Sequence, residues 1–207
     1  MRQELLPLFP LPLVLLPGAR LPLHIFEERY KEMIGDAIRR QSEFGIVLGS
    51  EKGIANVGCT AIVDHVQKTH EDGRMDIVAA GRRRFEILSL NDEKPYLRGA
   101  VEFFDDEDDR EPESEARAKV EQAFEELKHL EAEQETESIA ADAPLSFRVT
   151  QVLTDLNLRQ VILTSRSEVE RIEKLAEHLP AALEKMRSAE WGRARAPRNG
   201  RARHIEF

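Results

Sequence analysis

Apolar residues dominate the stretch from Leu5 to Tyr30, LLPLFPLPLVLLPGARLPLHIFEERY, yet prolines at 7, 10, 12, 17 and 22 punctuate it. Proline fixes φ and removes a backbone donor, so one long helix is ruled out. The pattern predicts short extended pieces joined by bends, with Pro22 setting the last bend and a helix beginning near Glu27. Helical spacing follows over Phe26 to Arg40, where Phe26, Tyr30, Met33, Ile34, Ala37 and Ile38 line one face.

Residues 5 to about 105 otherwise read as strands. Phe44 to Leu48 is a short apolar strand, and Gly58 to Val66 runs on into charged residues up to His70. His70 to Gly73, HEDG, carries turn chemistry, so Met75 to Ala80 is predicted as a hairpin partner. Gly81 is expected to break that strand. Phe85 to Leu90 resumes it, with Phe85, Ile87 and either Leu88 or Leu90 facing the core. Tyr96 to Phe104 alternates and ends the β-rich part. Sequential hairpins must close or cover their edges, and a small barrel does so.

The acidic run FFDDEDDREPESE, 103–115, then reads as an exposed linker. It lacks the ligand spacing of an EF-hand calcium loop. Beyond it the period becomes helical. Ala116, Val120, Ala123, Phe124, Leu127 and Leu130 form one stripe. The polar stretch 131–144 is a loop or frayed end. Leu145 to Leu156 and Leu158 to Leu163 are two short helices. Ser165-x-x-Glu168 offers a capping box to a last helix bearing Val169, Ile172, Leu175, Leu179, Leu183 and Met186, with a kink or break expected at Pro180. The fold class is α+β, divided as 1–110 β-rich, 111–190 helical and 191–207 an arginine-rich, disordered tail.

Composition narrows the function classes. With 41% apolar residues the chain can build a core. A net charge of -9 disfavours a global nucleic-acid binder. The single cysteine, Cys59, permits no intramolecular disulfide and reads as a small buried hydrophobe. The N-terminus lacks the unbroken apolar core of a signal peptide, and no run reaches the ~20 apolar residues of a membrane helix. A soluble, cytoplasmic protein with no membrane partner is expected.

The segments PLFPLPLVLLPG (7–18) and LPLHIFEERYKEMI (21–34), followed by FGIVL (44–48), VGCTAIV (57–63) and DGRMDIVAAGRRRFEI (72–87), resemble the Lon protease N-terminal domain. Within the last segment, Gly81 and the Arg84-Phe85 pair match the family's glycine and Arg-Phe. LSFRVTQVL (145–153), LRQVILTS (158–165) and a long helix with Arg171 near its start fit more loosely, so the resemblance covers about residues 5–187. It implies a PUA-like β pseudo-barrel with one inserted helix, followed by a C-terminal helical bundle. It also implies a substrate-recognition module for unfolded or tagged polypeptides, with work alongside a separate ATP-dependent protease left open. The chain ends at Phe207 without the ATPase and protease parts the module normally precedes, so binding without catalysis is expected. Self-association through the last helix is left open.

No catalytic or cofactor motif appears. GIANVGCT (53–60) has Cys59 where a P-loop needs lysine, and neither G-x-S-x-G nor H-E-x-x-H occurs. His24 reads as a hydrogen-bonded structural histidine, and Glu27 and Arg29 as partners of other barrel charges. Asp64, His65, His70 and Asp72 flank one hairpin and read as solvated. No metal and no cofactor are expected. The candidate peptide-binding residues are Leu13, Leu15, Leu16, Phe103 and Phe104, with the alternative that the leucines fill the barrel. An alternative nucleic-acid role rests on Arg193, Arg195, Arg198, Arg201 and Arg203 of the tail.

Overall fold

The computed structural model describes residues 5–108, 110–130 and 139–195. Pro12 and Pro17 lie in the irregular part of the opening, whereas Pro7 and Pro10 fall inside one strand and Pro22 inside the next, so Pro22 does not set the bend expected before the helix. Strand β1 (Leu6–Leu11) is followed by an irregular segment and then β2 (Arg20–Ile25). Helix α1 (Glu28–Arg40) buries Tyr30, Met33, Ile34 and Ala37, whereas Phe26 lies outside it and is 60% exposed. Glu27 and Arg29 pair with each other, at 2.8 Å, rather than with charges of the sheet.

Strand β3 (Phe44–Ser50) leads into two long strands, β4 (Gly53–Thr69) and β5 (Met75–Asn91), and then β6 (Arg98–Phe103). β5 pairs with β4, β4 with β3, β3 with β1, β1 with β6, and β6 returns to β5, so five strands close a ring. The far halves of β4 and β5 extend beyond it and carry β2 on the outer side of β5. Ring strands β1, β3 and β5 contribute Leu8, Val47, Phe85 and Ile87 to one small cluster, with Ile54 of β4 and Val101 of β6 against it, which places that cluster inside the ring. Alternate residues of the same strands, Phe9, Ile46 and Cys59 among them, face the helices in a larger cluster.

Glycines make this closeness possible. A Cβ on Gly58 would lie 2.6 Å from the tip of the Phe85 ring, and one on Gly45 equally close. Gly81 does not break β5, which runs through it. Its lack of a side chain admits the Leu16 carbonyl, which would stand 2.3 Å from a Cβ, and it exchanges backbone bonds with Gly18 and Ala19. Leu88 and Leu90 are both more than half exposed, so neither faces the core. β5 is bulged opposite β6 between Ile87 and Ser89, and the inward alternation ends there.

Helix α2 (Ser114–Leu130) lies against α5 (Glu168–Arg195), while α3 (Leu145–Gln151) touches α2, α4 (Leu156–Thr164) and α5. Asp155 caps α4, its carboxylate accepting from the backbone of Asn157 and Leu158. The cap of α5 is Ser167 rather than Ser165, its hydroxyl accepting from the Glu170 backbone. Glu168 is thereby freed for another role. The backbone of α5 is helical through Pro180 without a break and onward to Arg195.

The acidic run is exposed over most of its length, as expected, yet one of its carboxylates, Asp106, is held by two buried arginines. Arg171, fully buried, donates to both oxygens of Asp106 at 2.6 Å, to Glu168 at 2.7 Å and to Ser146 at 2.9 Å. Arg84 donates to the same Asp106 at 2.6 Å and to the Ser165 carbonyl. Burial pulls the Asp106 carboxyl upward, but the two guanidiniums outweigh it and hold the group below the usual aspartate range. One ionic cluster, built on the buried Arg84 and Arg171, thus joins β5, the segment after β6, α3 and α5.

Candidate functional site

Strand β6 borders a broad concavity. It pairs with β5 along its length but, among the described residues, meets β1 only through Gly99↔Leu6 and Arg98↔Pro7. Beyond that point Val101 and Phe103 line a groove of about 1280 Å³, shared with Leu5 and Leu6, with Met33 and Ala37 of α1, and with Tyr96. Charges rim it: Arg40, Arg83, Lys94 and Arg98 against Asp36, Glu43 and Glu93. Several of these are already tied. Arg83 pairs with Glu43 at 3.0 Å, Arg98 with Glu93 at 3.2 Å, and Lys94 with Glu32 at 2.9 Å. The hydrogen bond to Glu32, then that to Tyr96, raises the Lys94 ammonium above its ordinary value. Phe103 is 43% exposed, with the Arg83 guanidinium 3.8 Å from its ring centroid. A fixed cation over an exposed ring gives an amphipathic platform for apolar or carboxylate-bearing chains.

The expected peptide-binding residues separate. Leu15, Leu16 and Phe104 are core residues of the larger cluster and present no surface, and Leu13 is half-buried against it. Arg159 of α4 holds that opening segment through the Val14 carbonyl at 2.9 Å. Only Phe103 lies in the groove. Arg193 and Arg195 fall in the helical backbone of α5, and Arg198, Arg201 and Arg203 lie outside the described residues. Sequence position alone does not mark Arg83 and Val101 as groove residues, and it places Met33 only on the apolar face of α1. The signal for Arg83 and Val101 was there in the period-2 alternation of β5 and β6, which turns them to the face that Phe103 shares.

The hairpin histidines also regroup. His65 meets only its neighbour Asp64, and Asp72 is taken by Arg74. His70 instead shares Asp76 with His24, a strand away. Facing Asp76, whose carboxyl the His24 and then the His70 hydrogen bonds lower, His24 is hydrogen-bonded as expected.

Comparison with known proteins places this architecture. The Lon protease of Anaeromyxobacter dehalogenans is 34% identical over 110 residues, covering 49% of this chain and 13% of that protein. The Lon protease of Parabacteroides distasonis is 28% identical over 111 residues, 50% of this chain and 14% of that protein. The match therefore spans only a small part of the length of these relatives. The crystal structure of a Lon N-terminal domain protein from Xanthomonas campestris superposes with a TM-score of 0.68 at 26% identity, covering 83% of this chain and 96% of that one. The N-terminal domain of Mycobacterium avium complex Lon protease, at 18% identity and a TM-score of 0.61 over 86% of this chain and 98% of that one, shares the fold. The model of the ATP-dependent protease La (LON) substrate-binding domain matches residues 5–181, and the chain belongs to that family.

Proposed function

We propose that this chain is a non-catalytic polypeptide-recognition module whose client lies along the groove between β6 and α1. The match of residues 5–181 to a substrate-binding family carries the reading. The groove supports its location. Its volume exceeds the roughly 300–1,000 Å³ of ordinary small-molecule sites. Among the described residues, no strand pairs with the side of β6 beyond Gly99 that faces away from β5, which there offers backbone groups for strand addition, and Leu6, Val101 and Phe103 supply apolar contact. The charged rim accommodates side chains of either sign. In this reading the strand ring is a PUA-like pseudo-barrel and α2–α5 its helical bundle. Its clients are unfolded or tagged polypeptides in the cytoplasm, and its working partner is a separate ATP-dependent protease.

Fluorescence anisotropy with a labelled, permanently unfolded polypeptide tests this. The wild-type chain binds it, and Phe103→Asp weakens binding at least about tenfold while circular dichroism is unchanged, since loss of one central aromatic contact costs about 1.4 kcal/mol or more. A flat wild-type titration defeats the recognition reading. Binding that ignores Phe103→Asp moves the site elsewhere.

A further inference from the structure

Three donors from separate elements converge at the far end of the long hairpin. His24 stands on β2 and is paired directly opposite Asp76 on β5. The turn folds His70 back onto the same carboxylate. His24 Nδ1 lies 2.5 Å from one Asp76 oxygen, and His70 Nε2 lies 2.7 Å from the other. The imidazoles meet edge-on with centroids 5.8 Å apart, and the three donor atoms all lie within 4.8 Å of one another.

We propose that His24, His70 and Asp76 form a site for a divalent transition cation, with Zn²⁺ the best fit. Two imidazole nitrogens and a carboxylate oxygen are a donor set that this ion favours, and three protein ligands leave a position for water. Bonds of about 2.0–2.1 Å put neighbouring tetrahedral donors roughly 3.3 Å apart. The 2.5 and 2.7 Å contacts must therefore open by less than about 1 Å, and the imidazole nitrogens, within 4.8 Å of each other, need move by no more than about 1.5 Å to reach that spacing. Partly exposed side chains accomplish this by small rotations.

The backbone beneath them is already fixed. His24 and Asp76 sit in a paired ladder, while the His70 amide donates to the Arg74 carbonyl at 2.8 Å and the Gly73 amide to the His70 carbonyl at 3.0 Å. Without a cation, each imidazole must present an N–H to Asp76. A cation takes the place of both N–H groups, and each ring carries its proton on the other nitrogen. Lys31, which reaches the same turn, is engaged by the Glu28 carboxylate and the Asp72 carbonyl, so its charge is not left to oppose the cation. The bound ion would join β2 to the hairpin.

Isothermal titration of the full chain with ZnCl₂, and the visible absorption of its Co²⁺ form, test the site. One ion binds per chain. His24→Ala, His70→Ala and Asp76→Asn each lose at least about tenfold in affinity, and the Co²⁺ ligand-field bands vanish in the His24→Ala/His70→Ala double variant. His65→Ala and His178→Ala leave both signals unchanged. Ca²⁺, which needs six or more oxygen donors, gives no heat at the same concentration. The proposal is overturned if the double variant, folded by circular dichroism, binds Zn²⁺ as the wild type does, or if the wild type binds none.

Discussion

Arg171 is the residue on which most depends. A fully buried guanidinium is costly to desolvate, and its partners Asp106, Glu168, Ser146 and the Ser165 carbonyl make the position tenable. Removing one member strands the others. Asp106→Asn is expected to cost about 3 kcal/mol at pH 7, measured by urea unfolding. The sign with pH follows from the depressed Asp106 carboxyl. Its contribution is complete above the ordinary unfolded value of about 3.9 and is lost as pH falls through the lower folded value. The gap between wild type and Asp106→Asn should therefore narrow below about pH 4, and an undiminished gap at lower pH would remove the charge from the explanation. The sequence displayed Arg84 and Arg171 clearly but gave no reason to connect them with an aspartate in an acidic run. Composition marks such a run as solvated, and only the fold shows which carboxylate turns inward.

At the level of elements, the ring around Phe85 sets the tolerance. Gly58→Ala forces a methyl against that aromatic tip and the Ile46 carbonyl, and overpacking of this kind costs about 1–3 kcal/mol. Phe85→Leu withdraws the ring tip, so the two changes together should cost less than the sum of each alone, a coupling that a double-mutant cycle measures. Additive costs would show that the glycine is needed for another reason. Much of this level was legible. The proline-divided opening, the helix after it, the Asp-Gly hairpin and the helical stripes all follow local rules. Gly81 misled because its glycine serves a carbonyl arriving from residue 16, a contact with no local signature. The capping box slipped by two residues because Ser165 and Ser167 both precede a glutamate three positions on, and only the ionic role of Glu168 separates them.

For the whole molecule, the linker composition suggested two halves, yet one cluster of buried side chains runs from Phe9 of the sheet to Leu183 of α5, and the Arg171 cluster reinforces it. The two halves should then unfold together. Cys59 reports on the sheet, since burial pushes its thiol up to about 12 and keeps it protonated and enclosed. Helical circular dichroism reports mainly on α2–α5. Labelling of Cys59 and loss of ellipticity should share one urea midpoint, whereas exposure of the thiol before the helices melt would establish two independent units. The groove was the least legible feature at this scale. Its walls come from β1, α1 and β6, which are brought together only by ring closure.

Pro22, placed in β2, has a consequence for behaviour at high concentration. Among the described residues β2 pairs with β5 alone, so its other side is a rim where a second chain could dock and begin a fibril. Proline contributes no amide there, and Arg20 and His24 flank it with polar side chains, so the rim is a poor template. Pro22, which lies within β2 rather than at a bend before α1, thus serves as a guard against aggregation.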